Sequence, residues 1–220
     1  MCARSLQDTV LFTLALLTAM SALAQTDPSI LKNEVGLVIG ATETPSVSRA
    51  NGASINLNSS IALGAEYDRH LSGSRTTLYG GVDFLASPAD VKVSYPAPEV
   101  SPGYAYLFLA PHIKVKFNSQ GTFEPWLSFG GGYADFSPAA PRNGQVKVAG
   151  EGNSGALAFG GGVDTRPLIH LTGLPFVRNL PIAGRFEIRD FYSGQPHYGV
   201  TTSSSFQNNV AFTAGLLLRF

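Results

Sequence analysis

Seven acids of this 220-residue chain (Glu34, Glu66, Asp68, Asp83, Glu124, Asp164 and Glu187) and six bases (Lys114, Lys116, Arg166, Arg185, Arg189 and Arg219) fall in alternating, strand-like stretches. A set of that kind could serve as an ion path, or as a proton relay in which acids and bases hand protons along. It could equally form a polar core that neutralises itself, because buried charges require partners. Opposite charges are spread across different stretches, as a paired interior demands. His70 and Ser72 are two residues apart and offer a base beside a hydroxyl, the minimum for acyl transfer. The other histidines are His112, beside Lys114, His170 and His197, and none has the pair spacing of a helical zinc site. "FGGGYAD" (129–135), "FGGGVD" (159–164) and "YGGVDF" (79–84) repeat one glycine-rich theme. Phosphate-cradling loops need a strand before and a helix after, with a Lys or acid at a set distance. Those surroundings are missing, so the glycines read as strand interiors. No catalytic, cofactor-binding or metal-ligating residue is assigned, and no cofactor is expected.

Eight strands must position these groups. The spacing predicts them at Glu34–Ala41, Ser60–Leu71, Thr76–Ala86, Tyr104–Phe117, Thr122–Phe136, Ala156–Arg166, Ala183–Tyr192 and Asn208–Phe220. Most have one apolar row: Ile61, Leu63, Ala65 and Tyr67 in the second, Leu127, Phe129 and Tyr133 in the fifth, Phe186 and Ile188 in the seventh. The opposite rows hold the charges, with His112 in the same phase as Lys114 and Lys116. The connections alternate in length. Short "SGSR" and "NSQG" are interleaved with long polar segments such as "TETPSVSRANGASINLN" and "SPAAPRNGQVKVAGEGNSG". An antiparallel meander whose two ends face different compartments gives that rhythm. The connection over 167–181 breaks it, being long where a short turn is expected, and has room for a small helix or hairpin.

Charged residues are 14% of the chain and sum to zero, which argues against an electrostatic nucleic-acid binder. The chain opens with Arg4, an apolar run from Val10 to about Ala22, and Ala22-Leu23-Ala24 before Gln25, the pattern of a cleaved signal peptide over residues 1–24. The only cysteine, Cys2, lies before that cut, so residues 25–220 hold no thiol or disulfide.

Alternation alone does not say which row faces inward. A soluble carrier barrel buries its apolar row; a membrane barrel turns it to lipid. Three features favour the membrane. Gly64, Gly81, Gly130, Gly132, Gly160, Gly162, Ala211 and Gly215 share the polar row, where small residues on some strands leave room for long charges from others in a narrow interior. The leader directs export without disulfides. The end of the chain is the third. Backwards from Phe220, every second residue is apolar: Leu218, Leu216, Ala214, Phe212 and Val210.

That terminal aromatic on an alternating strand resembles the C-terminal signature of bacterial outer-membrane β-barrels, with Leu218 at a place often held by Tyr or Phe. Strand number and size resemble the OmpA transmembrane domain and OmpX-like barrels. The resemblance implies an all-β, eight-stranded antiparallel up-and-down transmembrane β-barrel over residues 25–220, in a bacterial outer membrane. It implies outer-membrane lipids as surroundings, recognition of Phe220 by the barrel-assembly machinery, four external loops free to take an unknown ligand, and a monomer. The His70–Ser72 pair also resembles that of outer-membrane lipid A deacylases, but it falls at a short turn on the wrong end of the barrel. The expectation is a non-enzymatic structural or surface-interaction protein with a closed polar lumen. The alternatives are an outer-membrane lipid-modifying enzyme and a soluble lipocalin-like ligand carrier.

Overall fold

The computed structural model describes residues 31–48, 54–57, 59–94, 103–118, 121–138, 152–172, 179–196 and 202–220. The leader over 1–24 and His197 lie outside the described residues. Eleven strands occur among them: β1 (Asn33–Glu43), β2 (Val47–Ser48), β3 (Ser54–Leu57), β4 (Ser60–Gly73), β5 (Thr77–Ser94), β6 (Gly103–Lys116), β7 (Phe123–Pro138), β8 (Gly152–Leu171), β9 (Leu180–Gly194), β10 (Phe206–Gln207) and β11 (Val210–Arg219). The eight long ones pair antiparallel in the ring β1–β4–β5–β6–β7–β8–β9–β11, and β11 closes on β1. All eight match the strands expected from the sequence.

The pairing register fixes the shape. From Val38 the partners run through Gly64, Leu85 and Phe108 to Ala134 in one direction. In the other they run through Gly215, Arg185 and Asp164 to Glu124. Both paths end on β7, ten residues apart. With strands about 4.8 Å apart and about 3.3 Å per residue, that offset gives a tilt of about 40° and a backbone radius of about 8 Å. Such an interior holds side chains and little else. The ring closes where the start of β1 meets the end of β11: the Asn33 amide donates to the Phe220 carbonyl (2.7 Å), and the Phe220 amide donates to the Asn33 carbonyl (2.9 Å).

The connections depart from expectation in two places. The described residues of the 167–181 segment are mostly strand. β8 runs on to Leu171, β9 starts at Leu180, and the two pair there through register shifts between Asp164 and Ile169. Pro167 explains the irregularity, since it has no amide to donate to a ladder. At the opposite end, β2 and β3 form a small ribbon within the first long connection. The ribbon joins β5 through Leu57 and Val93, and Val47 from it is buried in the apolar core.

The charged lumen as the candidate functional site

Strand alternation sorts the side chains into two populations. Ile39, Ile113, Leu127, Phe129, Phe186 and Leu216 all face outward and are more than half exposed. Lys114, Arg185 and Asp164 are fully buried, and Glu66, Asp83, Glu187 and Arg189 nearly so. Water-soluble proteins rarely expose apolar surface on this scale. A closed ring with an apolar exterior satisfies every ladder hydrogen bond within the wall, the condition for crossing a bilayer with strands.

Inside, the charges form one continuous network in the half of the barrel near the termini. Arg185 projects from β9 and grips Asp164 with both arms of its guanidinium, Nε to Oδ1 at 2.7 Å and Nη2 to Oδ2 at 2.9 Å, and it also pairs with Glu66. Lys116 bridges Asp164 (2.6 Å) and Glu34. Lys114 bridges Asp68 (2.6 Å) and Glu66. Arg189 joins Glu66 (2.6 Å), Glu187 (3.0 Å) and Asp83. Arg219 closes the terminal end on Glu34 (3.1 Å) and Glu124. Apart from Arg189 and Glu187, which share β9, the partners come from different strands, so the network ties several parts of the wall together.

His112 lies at the centre, with Nε2 2.7 Å from Asp68 and Nδ1 3.1 Å from Asp83. Glu66, Asp68 and His112 offer three ligand atoms within 4.8 Å of one another. The Lys114 ammonium and the guanidinium groups of Arg185 and Arg189 already occupy the carboxylates of that trio. The donor set fits a self-neutralising cluster better than a metal centre.

Twelve of the thirteen charged residues read from the sequence meet here. Arg166 does not. It is exposed at the rim and donates from Nε to the Gly121 carbonyl (2.9 Å), because the register shift after Asp164 carries it out of the inward phase. The His70–Ser72 pair does not form a nucleophile and its base. A register shift separates the two residues, the His70 Nε2 lies 3.1 Å from the Gly73 carbonyl, and its ring stands edge-on to Tyr79. His170 is exposed on β8.

Two features go beyond the sequence reading. Trp126, the only tryptophan, points into the lumen with its indole ringed by Lys114 (4.4 Å), Arg185 (5.2 Å) and Arg189 (5.3 Å). Its Nε1 donates to Asp164 at 3.2 Å. The signal was its even-numbered place two residues after Glu124. Towards the long connections the charges give way to an aromatic plug. Phe108 stacks on Phe191 at 4.5 Å and 9° and meets Phe136 edge-on, with Tyr106 beside them. Above this plug, the Tyr106 hydroxyl donates to Thr42 in a layer that includes Ser60 and Ser87.

Glycines make room for these groups. A Cβ on Gly162 would lie 2.7 Å from Trp126 Cζ2 and 2.4 Å from the Phe186 carbonyl oxygen. Gly162→Val is therefore expected to destabilise the barrel by about 1–3 kcal/mol through overpacking. A urea titration in lipid vesicles, followed by the mobility of the unboiled protein on a gel, measures it. An unchanged midpoint would mean that the indole has space to retreat.

An outward apolar belt around an inward charged network defines an eight-stranded transmembrane β-barrel of the outer-membrane type. No protein-family model matches the chain, and no curated protein does. Among solved structures it is similar to the neisserial surface protein A (12% identity, TM-score 0.48, covering 86% of this chain and 97% of that one). It is similar to the outer membrane protein OprG of Pseudomonas aeruginosa (14%, TM-score 0.49, 86% and 96%). It is also similar to the attachment invasion locus protein Ail of Yersinia pestis (11%, TM-score 0.46, 86% and 100%).

Proposed function

We propose that this chain is a non-catalytic outer-membrane barrel, held in lipid by its strand exteriors and closed to solutes by its own side chains. It presents the segments between β1 and β4, β5 and β6, β7 and β8, and β9 and β11 outside the cell. The observation that carries the reading is the filled lumen: Arg185, Lys114, Trp126, Phe108 and Phe191 are all buried to 1% exposure or less. A narrow barrel plugged by paired charges at one end and stacked aromatics at the other leaves no continuous water column. Its contact with the outside then lies in those four segments, whose Ser, Asn, Pro and Gly content suits adaptable polar contacts with glycans or proteins.

Outer-membrane fractionation with gels run boiled and unboiled tests the placement. The folded barrel should migrate differently from its heated form. Planar-bilayer recording tests the closed lumen, with no steady unitary conductance expected. A soluble periplasmic protein of unchanging mobility would overturn the first statement, and a stable open channel the second.

Phe220 is proposed as the residue the assembly machinery reads. Phe220→Ala keeps both backbone bonds to Asn33. It is expected to cut the folded outer-membrane fraction several-fold in cells while the protein refolded in vitro keeps its urea midpoint. Equal loss in both settings would reduce Phe220 to a stability element.

A further inference from the structure

The charges outside the lumen are sorted by end. Among the described side chains, the bases that do not join the inner network are Lys32, Arg69, Arg75 and Arg166, and all of them lie at the end with the short turns. The acids that do not join it are Glu43, Asp135 and Asp190, and all of them lie towards the long connections. Among the described residues no exposed acid accompanies the bases.

Two of these bases meet at the seam of β1 and β4. The outward positions of β4 run Ile61, Leu63, Ala65, Tyr67 and then Arg69, so the lipid-facing column turns from apolar to basic there. Arg69 has Asn33 opposite it on one side and Gly80 on the other, and neither carries a charge. Lys32 precedes Asn33, and its carbonyl accepts the His70 amide at 2.7 Å, which holds the two bases on adjoining strands. Asn33 itself is occupied, since its Oδ1 accepts the Tyr67 hydroxyl at 2.8 Å. The Lys32 and Arg69 side chains are both exposed, and neither has a partner among the described residues. Apolar side chains stand beside them. Leu31 and Leu71 are 47% and 56% exposed. Leu71 lies over the bare backbone of Gly80, where a Cβ would be 3.3 Å from its Cδ1.

Two cations without an acid call for an anion, and a guanidinium fork beside an ammonium suits phosphate oxygens. Exposed leucines at the foot of an apolar column call for hydrocarbon, which a free phosphate lacks. We propose that the β1–β4 seam binds an anionic phospholipid of the periplasmic leaflet, with Lys32 and Arg69 clasping its phosphate and Leu31 and Leu71 against its acyl chains. The stems of both bases can follow the apolar wall while their charged heads reach the headgroup layer. Arg75 and Arg166 carry the same sign around the rim, so this whole end favours negative lipid.

The seam meets lipid only if the barrel crosses the outer membrane as proposed above, and the test separates the two statements. Protein folded in neutral detergent, checked by its unboiled gel mobility, receives equal amounts of dioleoyl phosphatidylglycerol and dioleoyl phosphatidylcholine. Native mass spectrometry counts the bound lipid. The unmodified protein should retain the anionic lipid about tenfold over the zwitterionic one, as bases at an anionic surface support. Lys32→Gln with Arg69→Gln should cut that preference by about threefold or more. Glu43→Lys, which adds a base at the other end, should leave it unchanged. Glycerophosphoglycerol, the headgroup without chains, should not displace the lipid in large excess. Equal retention by folded, unmodified protein overturns the seam site and leaves the barrel reading standing, and this measurement needs no variant to fold. A preference that survives the double variant, or that Glu43→Lys raises as much as the double variant lowers it, belongs to overall charge and also overturns the site. Displacement by glycerophosphoglycerol makes the seam a site for a soluble anion and overturns the lipid. Protein that stays in solution without detergent overturns both statements.

Discussion

Arg185→Met is expected to cost about 3–5 kcal/mol of unfolding free energy, the usual penalty for breaking a buried ion pair from one side. Methionine fills much of the same volume, so the loss is electrostatic. Without the guanidinium, Asp164 loses two hydrogen bonds, and Glu66 loses one of its three cationic partners. Both carboxylates are buried, so neither gains water in exchange. Removing Asp164 as well (Arg185→Met with Asp164→Leu) should recover part of the loss, since contacting residues are not additive. Urea unfolding in vesicles measures both. A single-variant loss under about 1 kcal/mol would mean that water reaches the network, and the closed lumen would have to be abandoned.

Phe108→Ala should cost about 3–5 kcal/mol for a different reason. Its ring stacks on Phe191 and meets Phe136, so truncating it leaves a cavity between those two rings. Phe191→Ala should behave alike. The double variant should fall short of the sum by about 0.5–1.5 kcal/mol, the coupling of a stacked pair. The same titration reads all three. A midpoint for Phe108→Ala equal to that of the unmodified protein would show that the plug collapses freely.

The two halves of the lumen were unequally legible in the sequence. Where Lys114 and Lys116 alternate with Ile113 and Val115, polarity itself reports which phase is inward. All eight strands and most of the ion network followed from that contrast. Two turns earlier in space, "YAYLFLA" over 104–110 is apolar in both phases: Leu107 and Leu109 meet lipid, and Tyr106 and Phe108 meet each other. A membrane barrel with an apolar plug erases the contrast that would reveal it, and only continuing the phase from Lys114 back to Phe108 restores it. Arg166 failed for the opposite reason. The phase was extended through Pro167, where the ladder slips.

The lone tryptophan has a consequence for anyone studying this protein. In many membrane barrels indoles ring the exterior at the water boundary. Here the sole fluorophore sits on the axis among ammonium and guanidinium groups, shielded from acyl chains by the full thickness of the wall. Its emission reports the integrity of the interior and is blind to the surrounding bilayer, so brominated lipids should leave it bright while loosening of the salt network changes its colour.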